Sequence, residues 1–212
     1  MEIKNVVGKY RTRGWYQRDQ KDITKLVLHH SAWKRDSSLS DDKVLKTIQG
    51  WHEGHGWPGL SYGFVILPNG NIYQCNDFED VTWHDTVNWD SIGILVHGYF
   101  HPPVNDKPTQ KQLASLKELL DWLCTKNPQF PASHGDVVAH RDRSATTCPG
   151  DLLYPYVTEY REKGGDVNWN TAVDEPDEDS NELREMRKSR TKWRQRAKDA
   201  EKLLEEIRKI VN

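Results

Sequence analysis

The sequence predicts an α/β fold: a mixed central β-sheet flanked by about three helices, with a separate C-terminal amphipathic helix. Three observations predict it. Short runs rich in β-branched residues alternate with segments of helical periodicity. One pair of runs is joined by a Pro-Asn-Gly turn, which makes at least one pairing antiparallel. Charge divides the chain into three stretches. Residues 1–166 carry 19 Lys+Arg, 21 Asp+Glu and nearly all the periodic apolar segments, and form the candidate domain, with residues 1–22 as a basic N-terminal extension that either covers part of the domain or lengthens a binding groove. Residues 167–182 hold six acids and no base and read as a solvated linker. Residues 183–212 hold 11 Lys+Arg against 5 Asp+Glu, with no Gly or Pro, and read as a cationic helix about 45 Å long.

Each element has a local reason. ITKLVLHH, from Ile23 to His30, is a short β-rich run that reads as a strand ending in histidine. Ser40 is an N-cap followed by two acids, and Val44, Ile48 and Trp51 recur at helical spacing up to Gly54, which predicts an amphipathic helix. SYGFVILPNGNIYQC reads as a hairpin, because Asn-Gly tolerates the positive φ of a tight turn. SIGILVHGYF is a further strand. Thr109 and Gln112 make a capping box ahead of Leu113, Leu116, Leu120 and Leu123, the longest helix of the domain. VVAH, from Val137 to His140, is a second short run ending in histidine. A last helix is expected between Asp151 and Lys163, closed by Gly164-Gly165.

Composition removes several classes. The 212 residues are 35% hydrophobic, and no apolar run approaches the ~20 residues of a membrane-spanning helix. The opening MEIKNVVGKYRTRGWYQ lacks the apolar stretch of a secretory signal, so synthesis in the cytoplasm is expected. Three cysteines are too few, and odd in number, for a disulfide scaffold. Cys75 and Cys124 read as core residues. Nine Trp and nine His suit a site that grips a ligand and does polar chemistry.

The sharpest motif is His140-Arg-Asp-Arg-Ser-Ala-Thr-Thr-Cys148-Pro-Gly, with VLHHS (Val27 to Ser31) upstream. Two strand-end histidines and a loop cysteine make a candidate three-ligand zinc site with the fourth position left for water. Two neutral imidazoles and one thiolate leave such a site a net positive charge, which lowers the pKa of bound water and polarises a carbonyl, as amide hydrolysis requires. Paired C-x2-C spacings are absent, which disfavours a structural zinc site. Adjacent strand residues face opposite sides, so His29 and His30 do not both face one metal, and the pattern leaves either open. Arg141 and Asp142 read as a pair supporting the ligand.

These residues resemble the zinc-dependent N-acetylmuramoyl-L-alanine amidases of the peptidoglycan-recognition-protein type, which include amidase-type phage lysozymes. Five segments carry the resemblance in order between about Ile23 and Tyr160: LVLHHSA, the helix ending WHEGHGW, LSYGFVILPNGNIYQ, WHDTVNWDSIGI and VVAHRDRSATTCPGDL. The resemblance implies zinc ligands His29, His140 and Cys148, with His30 excluded. It implies a catalytic Tyr62 near the metal-activated water and Thr146 against the scissile carbonyl. His84 falls at a position that looks substrate-facing, and Trp57, Trp83 and Trp89 are candidates for stacking on sugar or peptide. The implied reaction cleaves the amide between the lactyl group of N-acetylmuramic acid and L-alanine of the stem peptide. The expected setting is a phage endolysin that reaches the wall by a holin-type route. The alternative is a recognition module that binds peptidoglycan without cutting it.

In residues 183–212, Met186, Trp193, Ala200 and Ile207 share one heptad position, and Leu183, Arg190, Ala197, Leu204 and Val211 the other. A homo-oligomeric seam is the first reading, and contact with an anionic envelope surface the second. Nucleic acid is not an expected partner, because the acidic linker alongside repels phosphate and no base-reading motif is present.

Overall fold

In the computed structural model, which describes residues 1–126 and 131–169, eleven β-strands and α-helices follow in chain order, with short 3-10 and π turns between them. They are β1 (Ile3–Asn5), β2 (Tyr16–Gln17), β3 (Lys25–His30), α1 (Asp41–Gly54), β4 (Phe64–Ile66), β5 (Ile72–Gln74), β6 (Asp80–Val81), β7 (Ser91–Val96), α2 (Gln110–Asp121), β8 (Val137–Ala139) and α3 (Tyr154–Glu162). Six strands form one sheet in the order β1-β5-β4-β7-β3-β8, and β2 pairs with β6 in a separate ribbon. Strands β4, β7, β3 and β8 run parallel, while β5 returns antiparallel to β4 through the Asn-Gly hairpin and has β1 parallel to it. The sheet is therefore mixed, with three helices against it.

The helix ends are set by the expected side chains. Ser40 Oγ accepts the Lys43 N–H, and Thr109 and Gln112 cap each other's backbone at 3.0 and 3.1 Å. Gly164 and Gly165 follow α3 with φ of 58° and 84°. Strand alternation then divides the core in two. Leu26, Leu28, Ile92, Ile94, Val96, Val137 and Ala139 point to the face covered by α2 and α3. Val65, Leu67, Tyr73 and Leu95 point to the other, where α1 packs Val44, Leu45 and Ile48.

Three expectations change. The buried stripe of α1 continues from Ile48 to the half-buried His52, whereas Trp51 is 44% exposed and lies edge-on to Trp33 at 5.0 Å. The first 22 residues are not merely appended but take the covering role: β1 completes the sheet, Tyr10 and Trp15 are buried, and the Arg18 guanidinium donates to the carbonyls of Phe78, Asn88, Trp89 and Ser91. Nor does the domain end at 166, because Val167 and Trp169 are buried against α3, with Trp169 Nε1 donating to Glu159 at 3.0 Å. The rest of the acidic linker and the helix expected at 183–212, with its seam, lie outside the described residues.

Candidate metal centre

The carboxyl ends of β3 and β8 lie side by side, because the strands pair in parallel with Leu28 opposite Ala139. The residue after Ala139 is His140, so the register brings it beside the end of β3. Alternation along β3 turns His29 toward the α1 face and His30 toward the other, where its ring meets Tyr99 and Phe100 and its Nδ1 accepts the Phe100 N–H. Cys148 returns to the same point through a loop closed by the Arg141 N–H donating to the Cys148 carbonyl at 2.9 Å. Gly150, with φ of 93°, lets this loop pass Phe100, whose carbonyl oxygen would lie 2.4 Å from any Cβ there.

The result is a three-donor cluster: His29, His140 and Cys148 each offer one ligand atom, all within 4.8 Å of one another. His29 Nδ1 is 3.7 Å from Cys148 Sγ, and the two imidazole rings are 4.5 Å apart. His30 contributes only its backbone N–H, which donates to the Cys148 sulfur at 3.4 Å. Burial holds the His29 imidazole well below the usual histidine range, reinforced by the neighbouring histidines. Burial also lowers His140, against the pull of Asp85, and pushes the Cys148 thiol up to about 12. Neutral imidazoles are what a metal needs, and the thiol gives up its proton when an ion binds. Two nitrogens and one sulfur converging at the end of a buried strand fit an ion of zinc's tetrahedral N/S preference.

Around the donors stands an aromatic wall. The Tyr62 ring is 5.2 Å from His29 and 5.5 Å from His52, and burial raises its phenol above the ordinary value. His52 leads to Trp57 at 5.0 Å, and Trp57 to Trp83 at 6.4 Å. Trp89 lies apart from this run, half exposed and reaching Asp22. Thr146 is exposed at the end of the ligand loop, where its Oγ1 accepts the Cys148 N–H at 3.2 Å. His84 is not on an accessible face. It is 6% exposed, its Nδ1 lies 3.1 Å from His29 Nε2, and its ring sits on Gly93, where a Cβ would come within 2.6 Å. Arg141 and Asp142 do not pair with each other as expected: Arg141 reaches Asp151, and Asp142 accepts from Tyr154, Arg161 and the Ala139 N–H, tying the ligand loop to α3. Sequence reasoning missed His52 and Asp85. The signal for Asp85 was its place next to His84 in WHD, and for His52 its place four residues after Ile48 on the buried stripe.

A parallel-edged sheet that presents two imidazoles and a thiol at its carboxyl end defines an α/β protein with a candidate metal centre. Residues 19–151 match the N-acetylmuramoyl-L-alanine amidase family, and the chain belongs to it. Peptidoglycan recognition protein 1 of Mus musculus is 30% identical over 139 residues, which are 64% of this chain and 74% of that protein. Among solved structures, the N-acetylmuramoyl-L-alanine amidase LysC from Clostridium intestinale is 25% identical with a TM-score of 0.57, covering 77% of this chain and 97% of its own. The Ph2119 endolysin of a Thermus scotoductus bacteriophage is 25% identical with a TM-score of 0.58, covering 76% and 99%.

Proposed function

We propose that this chain hydrolyses the amide between the lactyl group of N-acetylmuramic acid and L-alanine of the peptidoglycan stem, using zinc held by His29, His140 and Cys148, and serves as a phage endolysin. The observation that carries this reading is the convergence of those three donors within 4.8 Å, in a chain of the amidase family. Zinc bound there supplies Lewis-acid activation of water and of the scissile carbonyl. The chain's own groups then act on the reacting atoms. Tyr62, kept a neutral phenol by burial, offers its O–H beside the His29 ring to the developing oxyanion or the departing nitrogen. The Thr146 oxygen accepts the Cys148 N–H, which leaves the hydroxyl proton to meet the carbonyl oxygen from the exposed side. Trp57 and Trp83 extend the wall along which glycan or peptide lies.

The mouse relative's name supports a second reading, a module that recognises peptidoglycan without cutting it. Cys148 favours the amidase, because recognition alone needs no thiol among the histidines. Among the described residues no helix is long and apolar enough to cross a membrane. Delivery to the wall by a holin-type route, and an oligomeric or envelope contact through residues 183–212, belong to the same proposal.

Digestion of purified peptidoglycan tests it. New alanine amines without new reducing sugar ends are expected; new reducing ends indicate a glycosidase and sink the reading, and no new ends leave the recognition module. Cys148→Ser is expected to lose both bound zinc and activity, and a variant that keeps both removes the assigned site.

A further inference from the structure

Both candidate histidine ligands turn a second nitrogen outward, and the two meet adjacent residues of one turn. His29 Nδ1 is the nitrogen near Cys148 Sγ, so its Nε2 carries the ring proton and points at His84 Nδ1, 3.1 Å away. His140 Nε2 lies 3.5 Å from Asp85 Oδ1, which leaves its Nδ1 for an ion. The turn that carries His84 and Asp85 is itself held in place. Asn88 Oδ1 accepts the backbone N–H of both, at 2.9 and 2.8 Å. His84 reaches His29 only because residue 93 of the adjoining strand is glycine. Asp85 also accepts from Ser144 Oγ at 2.8 Å and from Arg143 Nε, both in the loop between the other two ligands, and Arg143 Nη2 continues to Asp90 Oδ1 at 2.8 Å.

We infer that the dipeptide His84-Asp85 is the positioning element of the metal centre, with His84 setting the tautomer and aim of His29, and Asp85 those of His140. Both stand behind the imidazoles of the donor cluster and are not among its three donors. A polar partner behind each imidazole, hydrogen-bonded to His29 and at ion-pair distance from His140, fixes which nitrogen is free and raises its basicity, and removing such partners typically weakens metal affinity about 10–100-fold. The assignment rests on the metal reading above and replaces the substrate-facing role expected for His84. It also makes Asp85 the point where ligand orientation and anchoring of the 140–148 loop meet.

The test is made on the full chain stripped of metal, titrated with Zn2+ against a chromophoric chelator and with Co2+ followed by its ligand-field absorption. His84→Ala and Asp85→Asn are each expected to weaken Zn2+ binding about 10–100-fold and to alter the Co2+ spectrum. His84→Asn, whose amide oxygen can take the place of Nδ1, is expected to recover most of the affinity. Asp90→Asn weakens the same Arg143 brace without touching either histidine and is expected to leave affinity and spectrum unchanged. Unaltered binding in both His84→Ala and Asp85→Asn overturns the inference, as does an equal loss in Asp90→Asn, which assigns the effect to loop anchoring. Thermal unfolding of the metal-free variants shows whether each is folded, and His84→Asn covers the case in which the alanine variant is not. A wild-type chain that binds neither ion refutes the metal reading itself, so the two failures are distinguishable.

Discussion

The two faces of the sheet are built for opposite purposes. Among the described residues, 23 buried aliphatic and aromatic side chains form one cluster against α2 and α3, and ten form the cluster against α1. The difference lies in coverage. Helix α1 packs on the part of its face over β4, β5 and β7, and the remainder, toward β3 and β8, carries Val27 and His29 with the His84 and Tyr62 rings against His29, and Val138 only half-buried. Polar groups placed in a well-covered core cost stability unless each finds a partner. Here the imidazoles partner one another and Asp85.

The sharpest way to break this comparison is to damage each face separately. Leu116→Ala, in the fully buried α2 cluster, is expected to cost about 2–5 kcal/mol in denaturant unfolding while leaving the metal affinity of the folded fraction unchanged. A loss of metal affinity would show that the faces are not independent. Tyr62→Phe should do the reverse: activity falls about 100-fold, while the melting temperature and bound metal stay as they were. Equal activity in the phenylalanine variant would remove the hydroxyl from the chemistry and leave Tyr62 as packing.

A smaller effect sharpens the contrast through pH. His52 and His97 both lie on the α1 side of the sheet, and burial holds each at about 4 against an ordinary 6.5. Between those values the unfolded chain takes up a proton that the folded chain refuses. Stability is therefore fully present above pH 6.5 and is lost as the pH falls toward about 4. The melting temperature should decline across that window, and His97→Asn should make the decline shallower. An unchanged slope would show that His97 does not titrate with unfolding.

Much of this is legible in the sequence. The Thr109–Gln112 box, the Asn-Gly hairpin and the strand run ending at His30 follow from short-range pattern and stand where it puts them, whereas the run read as Val137–His140 ends as a strand at Ala139, with His140 opening a short 3-10 turn. The short β1 and β2 strands carry no such pattern. They form by pairing with β5 and β6, so residues 1–22 carry no strand signal of their own. Val167 and Trp169 were hidden for a related reason: the acid run that follows dominates the local composition, while their burial depends on α3.

The sequence by itself determined the periods: which residues could share a face of a strand or helix, where helices begin, and that only one of His29 and His30 can look toward a given point. Those properties come from backbone geometry and short-range hydrogen bonds, and need no distant partner. Only the tertiary structure decided which face α1 covers, that parallel register brings His140 beside the end of β3, and that His84 stands behind His29 while Asp85 stands behind His140. Positions 29, 84 and 140 are more than 50 residues apart from one to the next. Their meeting is set by sheet register and by the room a glycine leaves at position 93, neither of which appears in any local pattern.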